Sequence, residues 1–406
     1  MEKFRKKTIK KENIPTSDTG IAVKELINLV EKNEFTNKLL DLLNFESIKD
    51  EFIQVKGAKT LFNVQNSINK RFKKEDLVSS LGDISLYTSK DFSINFRDLA
   101  DSEYFRDLKL KEISTVPIYS AQRDFFSGLF QMDKYASKLI SKGYKDIVTT
   151  NLNLLKDIHQ TTKKYRILHD KTENLFYLRA IISLSNYHNY DNNIAIVVGL
   201  VTLHNEMKKG KIIYDLKLCE YNESFIRMFF ESSEVTTLKK VGSVRNIIEV
   251  SNDEIKREAL KFSGVCSIIF TYKDDEKELF IKPHEIKSKI LSIKHNQVPK
   301  TAVEELGNIK NSEKVHKELF DDISKISEIK NPEQIKFLIK RKVEKAKSEE
   351  IKRYKTEILR ELTNNSVSNI IELLNVFKKI ELLANEDIET TEYLRFIMYQ
   401  ALIDRR

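Results

Sequence analysis

Few residues in this chain have the type and spacing to do chemistry. Asp191 stands 24 residues ahead of the triplet Asp215-Leu216-Lys217. Metal-dependent nucleases often place one acidic residue on a strand and a D/E-x-K triplet on the next. In an extended chain Asp215 and Lys217 fall on the same face. There the carboxylates could hold magnesium while the lysine assists an attacking water. A chain with 70 Lys and Arg and 61 Asp and Glu also yields such triplets by chance, as a solvent-facing row on a half-exposed strand. Both readings of Asp191, Asp215 and Lys217 stand.

Other reactive types give less. His159, His169, His188, His204, His284, His295 and His316 form no HExxH or HxH spacing. With 10 glycines there is no phosphate-cradling loop and no dinucleotide loop, and no GxSxG elbow occurs. Cys219 and Cys266 sit singly in apolar runs, as buried, inert thiols do in a reducing compartment. Neither has zinc spacing, and no cofactor is expected.

Binding has a stronger signal than catalysis. Between 163 and 190, cations interleave with aromatic residues: Lys163, Lys164, Tyr165, Arg166, Tyr177, Arg179, Tyr187, His188 and Tyr190. Single-stranded nucleic acid is held by such a combination, a cationic groove for phosphates and rings on which bases stack. Lys163, Lys164, Arg166, Tyr177, Arg179 and Tyr187 are therefore the candidate contacts. Core packing of the tyrosines is the competing reading.

The elements that must carry these residues can be read from periodicity. Residues 1–20 hold Lys3, Arg5, Lys6, Lys7, Lys10 and Lys11 and read as a basic, flexible arm. Helical spacing follows over 21–45, and strands are expected at 84–87 and 92–96. Helices are expected at 120–129, 132–142 and 147–160. The centre, about 163–283, is rich in strands: 165–168, 175–182, 212–218, 225–230, 247–250 and 265–270. The apolar run 194–208 fits a strand or a helix. After Pro299 the chain is helical. Residues 333–362 carry a narrow stripe of Ile335, Ile339, Val343, Ala346, Ile351, Tyr354, Ile358 and Leu362, suited to a coiled-coil seam or to packing on the chain's own helices.

The fold class expected is α+β. A 406-residue chain exceeds one core. Its expected parts are the arm (1–20), a mixed, mostly helical region (21–160), a β-rich domain (161–299) and a helical domain (300–406). Net charge is +9, which favours a polyanionic partner. No apolar run is long enough to span a bilayer and no secretory signal is evident, so a cytoplasmic location is expected.

The pieces Asn151-Leu152-Asn153, Lys164-Tyr165-Arg166-Ile167-Leu168, Leu178-Arg179-Ala180-Ile181-Ile182-Ser183, Tyr187 and Asp191-Asn192 form a recurring pattern, continued by Val250-Ser251-Asn252-Asp253-Glu254-Ile255. Over about residues 115–404 the chain resembles a family of phage- and plasmid-encoded proteins, some likened to single-strand annealing proteins of the Red-beta superfamily. It departs from that pattern at Lys256, where the family has glycine, and at Gly264-Val265-Cys266-Ser267, which lacks an Asn-Gly pair. The matching positions are Arg179, Ser183, Tyr187, Asp191, Asn252 and Glu254. The resemblance implies single-stranded DNA binding in phage or mobile-element DNA metabolism, with Arg179 on a phosphate or in a buried ion pair. It also implies a homo-oligomer, for which the Lys/Glu-rich helix could supply the contact. The rivals are a metal-dependent nuclease and a non-enzymatic phage structural or host-interaction protein.

Overall fold

A computed structural model describes residues 4–405 apart from 88–91, 98, 100–101, 159–160, 185–186, 211, 256–257, 284, 348 and 385–386. In chain order the strands are β1 (Lys7–Lys10), β2 (Ile21–Ala22), β3 (Phe52–Ile53), β4 (Phe72–Ser80), β5 (Ile84–Tyr87), β6 (Ser93–Phe96) and β7 (Ile113–Pro117). Helices α1 (Asp133–Ser141) and α2 (Lys145–Ile158) lead to β8 (Thr162–Asp170), β9 (Leu175–Ile182) and α3 (Asn192–Lys209). Then come β10 (Tyr214–Tyr221), β11 (Phe225–Leu238), β12 (Gly242–Asp253), β13 (Glu258–Tyr272), β14 (Asp275–Ile281) and β15 (Lys289–Ile293). The main C-terminal helices are α4 (Ser312–Ser324), α5 (Pro332–Lys345), α6 (Glu349–Asn364), α7 (Ile370–Leu383) and α8 (Ile388–Tyr399). The protein is α+β.

The chain divides into two units. The larger is Met1–Phe62 with Tyr190–Arg406, and the smaller is Asn63–Asn189. The β-rich stretch read as one central domain is thus split: β8 and β9 belong to the smaller unit, and β10 onward to the larger.

The smaller unit is built on a sheet of order β4-β8-β9-β7-β6-β5, antiparallel except between β7 and β9. Alternation along β8 turns Tyr165 and Ile167 into an apolar core with Leu178, Phe96, Phe105, Phe125 and Phe126. Ala136 of α1 and Val148 and Leu152 of α2 join that core, which leaves the opposite sides of both helices to solvent.

The larger unit centres on the antiparallel sheet β1-β10-β11-β12-β13-β14, with β15 beside β13. The run 194–208 is helical. Asp191 caps α3, its side chain accepting from Ile194 N, and residues 192–204 are all buried. A helix apolar on every side belongs inside a core. Gly264 of β13 lets α4 approach the same face: a Cβ there would stand 2.6 Å from Val315 Cγ1. On the other face, α8 lays the Arg395 guanidinium over the rings of Phe229 and Phe280.

One expectation is corrected and one alternative is decided. The basic arm is, from residue 4, part of the larger unit rather than a flexible tail. β1 pairs antiparallel with β10, Lys7 opposite Tyr221, and Ile9 and Ile14 are buried. Burial of about one isoleucine contributes roughly 1.5–3 kcal/mol, so these two side chains help to dock the segment. The 333–362 stripe follows the second of its two readings, packing on the chain's own helices. It breaks into α5 and α6, which pack on each other and bury Ile335, Ile339, Val343, Ile351, Ile358 and Leu362. Among the described residues, no helix is long and apolar enough to cross a membrane.

Candidate nucleic-acid interface

Half of the six sequence-predicted contact residues, Arg166, Tyr177 and Arg179, are buried. Arg166 on β8 is 1% exposed and lies directly across from Asp76 of β4. Its Nε donates to Asp76 Oδ1 at 3.1 Å and its Nη1 to the Tyr187 hydroxyl at 2.9 Å, while Nη2 bonds Asn189. The Tyr187 ring also stacks with the guanidinium, 5.0 Å from its centroid. Tyr187 is thereby occupied by Arg166 and does not offer a free stacking face. Arg179 is 1% and Tyr177 8% exposed. At that burial Arg166, Arg179 and Tyr177 offer almost no surface to a nucleic-acid strand. Lys163 and Lys164, at the start of β8, are half-exposed like Tyr187, but they have no ion pair among the described residues. Ser183 is exposed just past β9.

The nuclease residues do not converge. Asp191 begins α3 and Asp215 follows its far end, with 18 helical residues between them, about 27 Å of helix. Asp215 Oδ1 accepts from Lys56 N at 3.2 Å. A register shift between Leu216 and Leu218 removes Lys217 from the regular alternation, and its ammonium sits 2.9 Å from Glu278 and 3.6 Å from Glu231. Among the described residues no group of three or more His, Cys, Asp and Glu could hold a metal ion. Cys219 and Cys266 are buried, and burial pushes the Cys266 thiol up to about 12 and Cys219 well above its ordinary value.

Three of the family-pattern positions do meet, around the start of α3. Glu254 Oε1 accepts from Asn192 N at 2.9 Å, and Asn252 Nδ2 donates to Tyr190 O at 3.1 Å and to Asn192 Oδ1 at 2.9 Å. Glu254 and Asp191 thereby satisfy N–H groups that a helix start leaves open and oppose its positive end, while Asn252 ties Tyr190 and Asn192 in place. Their observed work is to cap a buried helix.

A second polar assembly was not foreseen. Along β11 and β12, alternation puts Arg227, Phe229 and Glu231 on one face beside Glu249, Ile247 and Arg245. Phe229 and Ile247 form an apolar centre with Val265 and Phe280. Charges flank it. Arg227 meets Glu249 at 3.0 Å and Glu392 of α8 at 3.4 Å, and Lys282 meets Glu249 at 2.7 Å. Arg395 binds Glu381 at 2.9 Å. From the N-terminal segment Lys6 reaches Glu220 at 3.2 Å, and Lys11 pairs with Glu231. Burial works to raise the Glu392 carboxyl, but Arg227, Lys282 and Arg395 outweigh it and hold it down at about 2. Burial pulls the Lys6 ammonium below its ordinary value. These cations are spent on carboxylates of the larger unit.

Free cations lie elsewhere, on the outer side of α1. Lys134, Lys138 and Lys142 follow one another at helical spacing, are exposed, and have no ion pair among the described residues. Beside them Tyr135 and Tyr144 are each 55% exposed, and Ile147 and Leu154 of α2 are also open to solvent. The signal was present in the sequence as lysines every fourth residue on the helix expected at 132–142, with tyrosines between and after them. No family model matches the chain, and no curated protein or solved structure is detectably similar to it. On its geometry, then, it is a two-unit α+β protein with a cationic, tyrosine-bearing helical surface.

Proposed function

We propose that the protein binds a polyanionic strand, single-stranded nucleic acid, without acting chemically on it, and that the outer side of α1 and α2 is the contact surface. The observation that carries this is the set of exposed lysines without ion pairs, Lys134, Lys138 and Lys142, alongside the exposed rings of Tyr135 and Tyr144. Phosphates need unpaired cations, and a base stacked on tyrosine is worth about 1–3 kcal/mol. Charge distribution supports the reading. Residues 63–189 hold 20 Lys and Arg against 15 Asp and Glu, a net of +5 out of the chain's +9. The resemblance to phage- and plasmid-encoded proteins likened to annealing proteins points the same way. The binding role passes from Arg166, Arg179, Tyr177 and Tyr187 to α1, with Lys163 and Lys164 retained as flanking cations.

The test is a salt titration of binding to a single-stranded oligonucleotide. Each phosphate neutralised contributes about 0.7 to the slope of log affinity against log salt. Replacing Lys134, Lys138 and Lys142 together by Gln flattens that slope by about 2. Affinity that is indifferent to salt, or a triple variant that binds like the parent protein, ends the proposal.

A further inference from the structure

β11 outruns its neighbour. It pairs with β10 only as far as Ser232, opposite Tyr214, with Ser233 N still donating to Ile213 O at 2.9 Å. Beyond that point it continues to Leu238 with β12 on one side. Among the described residues no strand lies on the other side. Ser233, Glu234, Val235, Thr236 and Thr237 are all exposed. The hairpin closes with Val241 N donating to Leu238 O. Leu238 and Thr236 therefore use their backbone groups on β12, and alternation turns those of Val235 and Thr237 outward. Val-Thr-Thr is β-prone, and the segment holds no proline.

We infer that this edge pairs antiparallel with the same edge of a second copy of the chain. The segment is self-complementary. A two-fold axis at Thr236 sets Val235 opposite Thr237 of the second copy on both sides, which joins all four outward-facing residues in one ladder. Antiparallel order also brings each Glu234 against the Lys239-Lys240 turn of the other copy. None of Glu234, Lys239 and Lys240 has an ion pair among the described residues, so these charges are available for one another. A two-fold edge contact is isologous and closes at two copies. It takes over the oligomer contact that the α5–α6 stripe, buried within its own chain, cannot supply.

Register gives the test. At the axis Thr236 faces Thr236 of the second copy in a non-hydrogen-bonded pair, with Cα atoms about 4.5 Å apart, inside the range a disulfide accepts. Thr236→Cys is expected to oxidise to a covalent dimer. Thr237→Cys, which faces Val235 of the second copy, is expected not to. The native thiols, both buried, do not compete. In sedimentation the parent protein is expected to rise in mass with concentration; Val235→Pro removes an outward N–H without touching the β12 ladder, and is expected to abolish both that rise and the Thr236→Cys cross-link. Circular dichroism checks that this variant is folded. Equal cross-linking at 236 and 237, a mass that stays monomeric as concentration rises, or capture of a foreign extended peptide by the edge in place of dimer formation would each overturn the inference.

Discussion

Glu392→Gln isolates one charge in the buried network of the larger unit. The carboxyl is held at about 2 against an ordinary 4.5. At roughly 1.36 kcal/mol per pH unit, that gap corresponds to roughly 3 kcal/mol of stability. A carboxylate whose pKa falls on folding contributes this fully above its unfolded value. The contribution is lost as pH falls from about 4.5 through about 2. Neutralising Glu392 does not strand its cations, because Glu249 still meets both Arg227 and Lys282. The loss should therefore lie near the low end of the roughly 3–5 kcal/mol seen when one partner of a buried pair is removed. Two units need not unfold together, so hydrogen exchange of the β11–β12 amides reads the larger unit alone. Protection should drop by about 3 kcal/mol at neutral pH and converge on that of the parent protein near pH 2. An equal deficit at both ends of the range, or no deficit at neutral pH, would refute the electrostatic account of the cluster.

Other perturbations test separate parts of the structure. Arg166→Met strands Asp76 and should destabilise the smaller unit by about 3 kcal/mol, while the folded fraction keeps the salt slope of oligonucleotide binding; a changed slope would return Arg166 to the interface. Lys6→Met leaves Glu220 with one cation fewer and should raise exchange at β1 and β10 by about 1–3 kcal/mol, with no change in oligonucleotide affinity. Gly264→Ala forces a methyl against Val315 and should lower stability by about 1–3 kcal/mol in thermal unfolding; an unchanged melting temperature would mean that α4 yields freely. Asp215→Ala removes the acceptor of the Lys56 N–H and should cost about 1 kcal/mol, with no magnesium-dependent cleavage in either protein.

Local order was the legible part of the sequence. The strand expected at 175–182 coincides with β9, and 84–87 with β5, because alternation and turn residues bound them. Helices at 132–142 and 147–160 were also visible from their period. Period could not tell what covers a strand face. Arg166 looked available because its strand is cationic at one end, yet the opposite strand supplies Asp76 and a later segment supplies Tyr187 and Asn189 as partners. The first lysines read as a solvated arm for the same reason. Lys6 and Lys11 meet Glu220 and Glu231, acids more than two hundred positions along the chain, and no local pattern encodes such a meeting. The exposed lysines of α1 were within reach of a helical wheel, since their neighbours in sequence are also their neighbours in space.

The division of the chain also dictates an order of events during synthesis. The smaller unit is one continuous stretch and can finish folding as soon as it has left the ribosome. The larger unit begins first and completes last. Its opening strand has to wait for β10, and at about 5–20 residues per second that delay is on the order of ten to forty seconds. Throughout that time Lys6 and Lys11 lack the acidic partners they meet in the folded protein, and the strand edge they flank stands open to the wrong neighbour.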